Sequence, residues 1–182
     1  VIYLNEEEKE LSVLDMRNGQ NESLFGEVLL RGCSGLIKEE PLRVFESAAA
    51  GNNEPVLSKI MRDKKLLKEQ GGDFIISAIL SKKRALAGRL IQNKAVFTAS
   101  KYYTKEQYEA IAMLADNNDT VMLYALSSAG LSKRQVKYDV KKSWEIPLVK
   151  AAFDRNYRLL SLLVKCFFDP NEKISGQTTP LS

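Results

Sequence analysis

Two stretches of this chain combine side chains that bind rather than react. Between Lys94 and Tyr108 stand Tyr102, Tyr103 and Tyr108, with Lys94, Lys101 and Lys105 among them. Between Lys133 and Trp144 stand Tyr138 and the chain's one tryptophan, Trp144, among Lys133, Arg134, Lys137, Lys141 and Lys142. Tyrosine and tryptophan offer large, rigid contact area, and lysine and arginine offer charge-assisted hydrogen bonds. That pairing suits acidic protein side chains, an anionic lipid surface or nucleic acid. Equally, the tyrosines could pack over the joint between neighbouring elements, with Trp144 anchoring the helix after it.

Reactive chemistry is sparse by comparison. The sequence contains no histidine, which removes Ser-His-Asp and Cys-His nucleophile activation, histidine-ligated zinc and imidazole acid–base work from this chain. Cys33 and Cys166 are two cysteines among apolar neighbours, too few for a disulfide framework or a zinc cluster, and read as reduced thiols. The acidic run from Glu6 to Glu10 reads as a solvated face, and Gly71-Gly72 before Asp73 as a turn into a helix rather than a phosphate loop. Arg62-Asp63-Lys64-Lys65 and Lys82-Lys83-Arg84 read as solvated helix ends or turns. No catalytic residue, metal set or cofactor is expected.

The elements that must position these residues follow from a repeat. Pro147-Leu148 recurs as Pro180-Leu181, 33 residues on. Proline suits the first turn of a helix, where its missing N–H has no partner to lose. Ala151-Ala152 let a neighbouring helix approach closely. Leu159-Leu160 and Leu163-Val164, four apart, give a second helix one buried stripe. Asp169-Pro170-Asn171 and Gly176 are turn formers at its exit. Such a helix–turn–helix unit cannot bury its stripe alone and must stack on copies of itself.

Residues 147–182, through Phe168-Asp169-Pro170-Asn171 and Gly176-Gln177-Thr178-Thr179-Pro180-Leu181, resemble the ankyrin repeat. Arg155 stands where that family has a glycine between helices, and Phe167 where it has the glycine that ends the second helix. Weaker copies align Asn118, Lys82 and Gly51-Asn52 with Arg155, at spacings of 37, 36 and 31 residues. The resemblance implies an all-α, ankyrin-type helical solenoid of about four divergent repeats over 41–182, stopping at the start of a further repeat. Residues 1–40 fall outside the template. Leu4 to Met16 and Ser23 to Arg31 read as two helices, either an N-terminal helical cap or the end of an upstream domain.

A solenoid of this kind is expected to bind a partner protein through its concave face and finger loops, and not to be an enzyme. On that reading Tyr102, Tyr103, Lys105, Tyr108, Tyr138, Lys142 and Trp144 are contact residues on the loops. Asp116-Asn117 and Phe153-Asp154 are contact residues at the ends of first helices. The net charge of +4 and pI near 9.0 favour a partner with an acidic surface over nucleic acid, since the excess is mild and not a dense stripe. No membrane span is present, and a cytoplasmic monomer is expected. The look of the repeats extends to effectors that intracellular bacteria deliver into host cells, where the host cytoplasm would be the place of action. The other reading is a regulatory or substrate-docking arm of a larger enzyme whose catalytic domain lies outside these residues.

Overall fold

The computed structural model describes residues 3–4, 10–11, 35–135 and 146–171, which are mostly helical. Nine helices lie among them. A short α1 (Gly35–Glu39) leads into four helix pairs: α2 (Pro41–Ala50) with α3 (Glu54–Arg62), α4 (Lys64–Leu80) with α5 (Arg84–Gln92), α6 (Lys105–Asp116) with α7 (Thr120–Ser128), and α8 (Pro147–Phe153) with α9 (Tyr157–Cys166). Two two-residue strands, β1 (Tyr3–Leu4) and β2 (Glu10–Leu11), pair antiparallel with Tyr3 opposite Leu11. They correct the expected helix over Leu4–Met16. Leu11 and Val13 alternate, which suits a strand as well as a helix, and the cross-strand pairing takes Glu10–Leu11. The expected helix over Ser23–Arg31 lies outside the described residues.

The turn inside each pair follows one design. Asn52, Lys82, Asn118 and Arg155 take left-handed backbone, with φ of 52°, 59°, 51° and 54°. Each closes the first helix by donating its N–H to the carbonyl three residues back, while the next N–H reaches five back. Lys82 thus donates to Ile79 at 2.8 Å and Lys83 to Ala78 at 2.8 Å. The same two bonds recur at Asn52-Asn53, Asn118-Asp119 and Arg155-Asn156. In three pairs the residue after the left-handed one then caps the second helix. The side-chain oxygens of Asn53, Asp119 and Asn156 accept from the N–H groups of Val56, Met122 and Leu159, a device worth about 1 kcal/mol each. Proline stands in the first turn of α2, α3 and α8.

The first helices α2, α4, α6 and α8 pack side by side in one row. In the second row, α5 packs on α7 and α7 on α9. Between the rows lies a continuous apolar core, with Phe45 stacked on Phe74 at 4.8 Å between ring centres. Polar bonds run from pair to pair along the turns. Lys83 Nζ donates to Asn52 Oδ1 at 2.9 Å, and Asn156 Nδ2 to Asn118 Oδ1 at 3.1 Å. Arg89 binds both carboxylate oxygens of Glu54 at 2.7 and 2.8 Å, and Arg84 grips Asp119 with Nε and Nη2.

The connectors between pairs differ widely. Asp63 alone joins α3 to α4, its carboxylate accepting from the N–H groups of Lys65 and Leu66. Residues 93–104 join α5 to α6 and fold back across α4. Gly71 and Gly72 are the reason this is possible. They lie in the middle of the 17-residue α4 and not in a turn, which corrects the sequence reading. A Cβ on Gly71 would sit 2.8 Å from Ala95 Cβ and 2.9 Å from its Cα. One on Gly72 would sit 2.7 Å from the Phe97 ring. The glycine pair is a saddle for the returning loop.

Candidate functional site

The loop 95–104 ends in a parallel bridge to the next loop. Tyr103 N–H donates to Gln135 O at 3.1 Å, and Gln135 N–H to Lys101 O at 2.9 Å. Arg134 fastens the joint from beneath. Only 7% of it is exposed, and it donates Nη1 to Gln107 Oε1 at 3.0 Å and Nη2 to Thr98 O at 2.7 Å. Gln107 is itself fixed by a capping box with Thr104 at the start of α6. Burial pushes the Arg134 guanidinium below its ordinary value, though it remains a cation. Sequence reasoning placed Arg134 in a solvated or partner-binding loop; here it holds two loops together.

Tyr103 is 2% exposed, which fits the alternative of a tyrosine packed over a joint and not a contact residue on the loop surface. Its hydroxyl faces two carbonyls, Phe167 O at 2.8 Å and Ser132 O at 3.0 Å, and its single proton serves one at a time. Tyr108 is half-buried, edge-on to Phe168 with ring centres 6.0 Å apart. The two rings pack the exit of α9 against the third pair, because an apolar ring with a polar tip is stable where a core meets loop carbonyls. Tyr102 is half-buried, with Lys101 Nζ 5.2 Å from its ring centre. Lys105 is exposed and pairs with Glu109 at 3.7 Å along α6. Tyr138, Lys142 and Trp144 lie outside the described residues.

The remaining expected residues gather on the solvent face of the first-helix row. On α6 the side chains Gln107, Ala110, Ile111, Leu114 and Ala115 turn inward, so the helical period leaves Glu109, Ala112, Met113 and Asp116 outward. These line a recess of about 830 Å³ between α6 and the turn of the second pair. Ile79, Ala112 and Met113 contribute apolar wall, and Lys82, Glu109, Asp116 and Asn117 polar rim. Asn117 Nδ2 donates to Met113 O at 2.8 Å. A second recess of about 200 Å³ lies between the third and fourth pairs and shares Asp116 with the first. Lys150 stands in it, 2.6 Å from Asp116 Oδ1. That hydrogen bond, with the negative charge of Asp116 and Asp154, holds the ammonium above its usual value.

Leu80, Asp116 and Phe153 each stand two residues before the left-handed turn of their pair, so they are equivalent positions. Leu80 is half-buried, whereas Phe153 is 87% exposed. Asp154, beside it, is exposed and lines the smaller recess. On α4, Asp73 is exposed at its edge yet loses enough water to push its carboxyl above the usual range, with Glu106 of α6 adding to the shift.

Cys166 is a free, half-buried thiol, and Cys33 lies outside the described residues. Among the described residues no group of three or more histidine, cysteine or carboxylate side chains could hold a metal ion. No helix among them is long and apolar enough to cross a membrane. Comparison with protein-family models, with curated proteins and with solved structures gives no match for this chain.

Proposed function

We propose that this chain is an ankyrin-type solenoid that binds a partner protein through the solvent face of its first-helix row. The observation that carries the reading is Phe153. A phenylalanine stands 87% exposed at a position equivalent to Leu80 and Asp116, outside the buried core of the described residues. Asp154 beside it lines the smaller of two recesses that share Asp116, of which the larger has an apolar wall and both carry charges of either sign. Apolar anchors set among orienting polar groups are what a protein-binding surface needs. The ankyrin reading draws support from four helix pairs with one turn design and from the loop that bridges its neighbour between them.

The test is affinity capture from a cell lysate with the whole chain, beside a variant carrying Met113→Glu, Asp116→Ala and Phe153→Ala. None of these side chains belongs to the fully buried core. The variant is expected to keep its helical circular dichroism and lose the partner. For a purified partner, Phe153→Ala alone should weaken binding by about tenfold or more, as buried aromatic anchors do. A folded variant that keeps every partner would refute this surface.

A further inference from the structure

The second-helix row carries a charge pattern that the first does not. Helices α3, α5, α7 and α9 hold six cations, Lys59, Arg62, Arg84, Arg89, Arg158 and Lys165, against the single carboxylate Glu54. Arg84 and Arg89 are already engaged with Asp119 and Glu54. Arg158 and Lys165 have no ion-pair partner among the described residues, and neither α7 nor α9 contains a carboxylate.

These two cations flank a groove of about 400 Å³ between α7 and α9. Its walls are Val121 and Tyr124 from α7 and Leu162 from α9. Val121 and Tyr124 are 69% and 66% exposed. On α7 the core already takes Met122, Leu123 and Leu126, so Val121 and Tyr124 are apolar surface beyond what packing of the pairs uses.

We propose that this groove is a second docking surface, distinct from the first-helix face, and that its occupant is an acidic amphipathic helix of a partner protein. A helix lays apolar side chains at spacings of three and four into such a channel. Arg158 and Lys165 are seven residues apart on α9, two turns and about 10.5 Å at 1.5 Å per residue. Carboxylates two turns apart on a docked helix match that separation. The same counts weigh against a lipid surface, which draws on clusters of four to eight basic residues. Here two free cations border a recess, and a recess accepts a ridge better than a plane.

The test is selection of a displayed library of helical peptides on the whole chain, followed by titration of the enriched peptides. Enriched sequences should carry apolar residues three and four apart, with Asp or Glu spaced by two turns. Binding should fall about tenfold or more in Arg158→Glu/Lys165→Glu, where attraction becomes repulsion, and in Tyr124→Ala. It should be unchanged in Asp116→Ala/Phe153→Ala, which separates this groove from the first-helix face. The proposal is overturned if no helical peptide is enriched, or if enriched peptides lack acids. Equal binding by the charge-reversed variant would overturn it as well. So would groove-dependent binding to phosphatidylserine vesicles with no peptide bound, since the occupant would then be a membrane.

Discussion

Replacing Gly71 by alanine should destabilise the fold, whereas the same change at Gly88 should stabilise it. Both glycines lie inside helices, α4 and α5. In a helix, alanine is favoured over glycine by about 0.5–1 kcal/mol through reduced backbone entropy. At Gly88 nothing lies within 4 Å of the added Cβ, so this gain stands alone. At Gly71 the new atom meets Ala95 Cβ at 2.8 Å, Ala95 Cα at 2.9 Å and Val96 N at 3.0 Å. Ordinary carbon contacts lie at about 3.5–4.0 Å, so the loop backbone must retreat by well over half an ångström. It is tethered on both sides. Ala95 N–H donates to Leu90 O at 3.0 Å, and Phe97 N–H to Ala129 O at 2.9 Å. Overpacking of this kind costs about 1–3 kcal/mol, which exceeds the entropic gain. The two variants should therefore differ by about 2 kcal/mol, or about 4–8 °C in melting temperature for a chain of this size. Thermal and urea unfolding by circular dichroism read this directly. If Gly71→Ala is as stable as Gly88→Ala, the loop does not cross α4 as described, and the placement of Tyr102 and Tyr103 falls with it.

Two further outcomes follow from the joints. Tyr103→Phe keeps the ring against Phe168 but removes the hydroxyl that reaches Phe167 O and Ser132 O. It should cost about 1–2 kcal/mol, and an unchanged melting temperature would contradict the role given to that hydroxyl. Acid should loosen the second-helix row. Hydrogen bonds from Arg84 and Arg89 hold Asp119 and Glu54 below their ordinary values of 3.8 and 4.5. Depressed carboxyls contribute stability that is present above those values and is lost as pH falls through the folded ones. The unfolding midpoint should therefore drop below about pH 4, and Arg84→Gln/Arg89→Gln should flatten that limb, by a small amount because solvent screens pairs this exposed.

Helix pairing was legible because turn chemistry repeats even where residue identity does not. Aligning Lys82, Asn118 and Arg155 from the apolar steps around them found three positions that share left-handed backbone. At the first pair the alignment reached Gly51-Asn52 together, and Asn52 takes the turn. Asparagine tolerates that region, and Asn53 is then in register to cap α3. Tyr103 stood between two readings, and Arg134 was misplaced, for a different reason. Their partners lie 64 and 27 residues away in sequence, and an aromatic-basic loop looks the same whether it faces solvent or a joint. The saddle at Gly71-Gly72 was misread because a glycine pair punctuates chains more often than it admits a crossing strand. The groove on α7 went unnoticed, although Val121 and Tyr124 stand outside the stripe of Met122, Leu123 and Leu126.

The left-handed turns bear on how this chain can change. Lys82, Lys94 and Arg155 each hold a conformation that costs a residue with a side chain about 1–2 kcal/mol, whereas Asn52 and Asn118 hold it at less cost. The molecule thus stands below the stability its architecture permits, by several small debts scattered through separate helix pairs. Each is reversible by a single substitution to glycine, and of these five residues only Lys82 and Asn118 line the recesses discussed above. A lineage losing stability to new surface residues could recover it at these turns without disturbing what it binds. Faces can drift while the frame is repaired elsewhere, which is how helix pairs diverge in sequence yet remain in register.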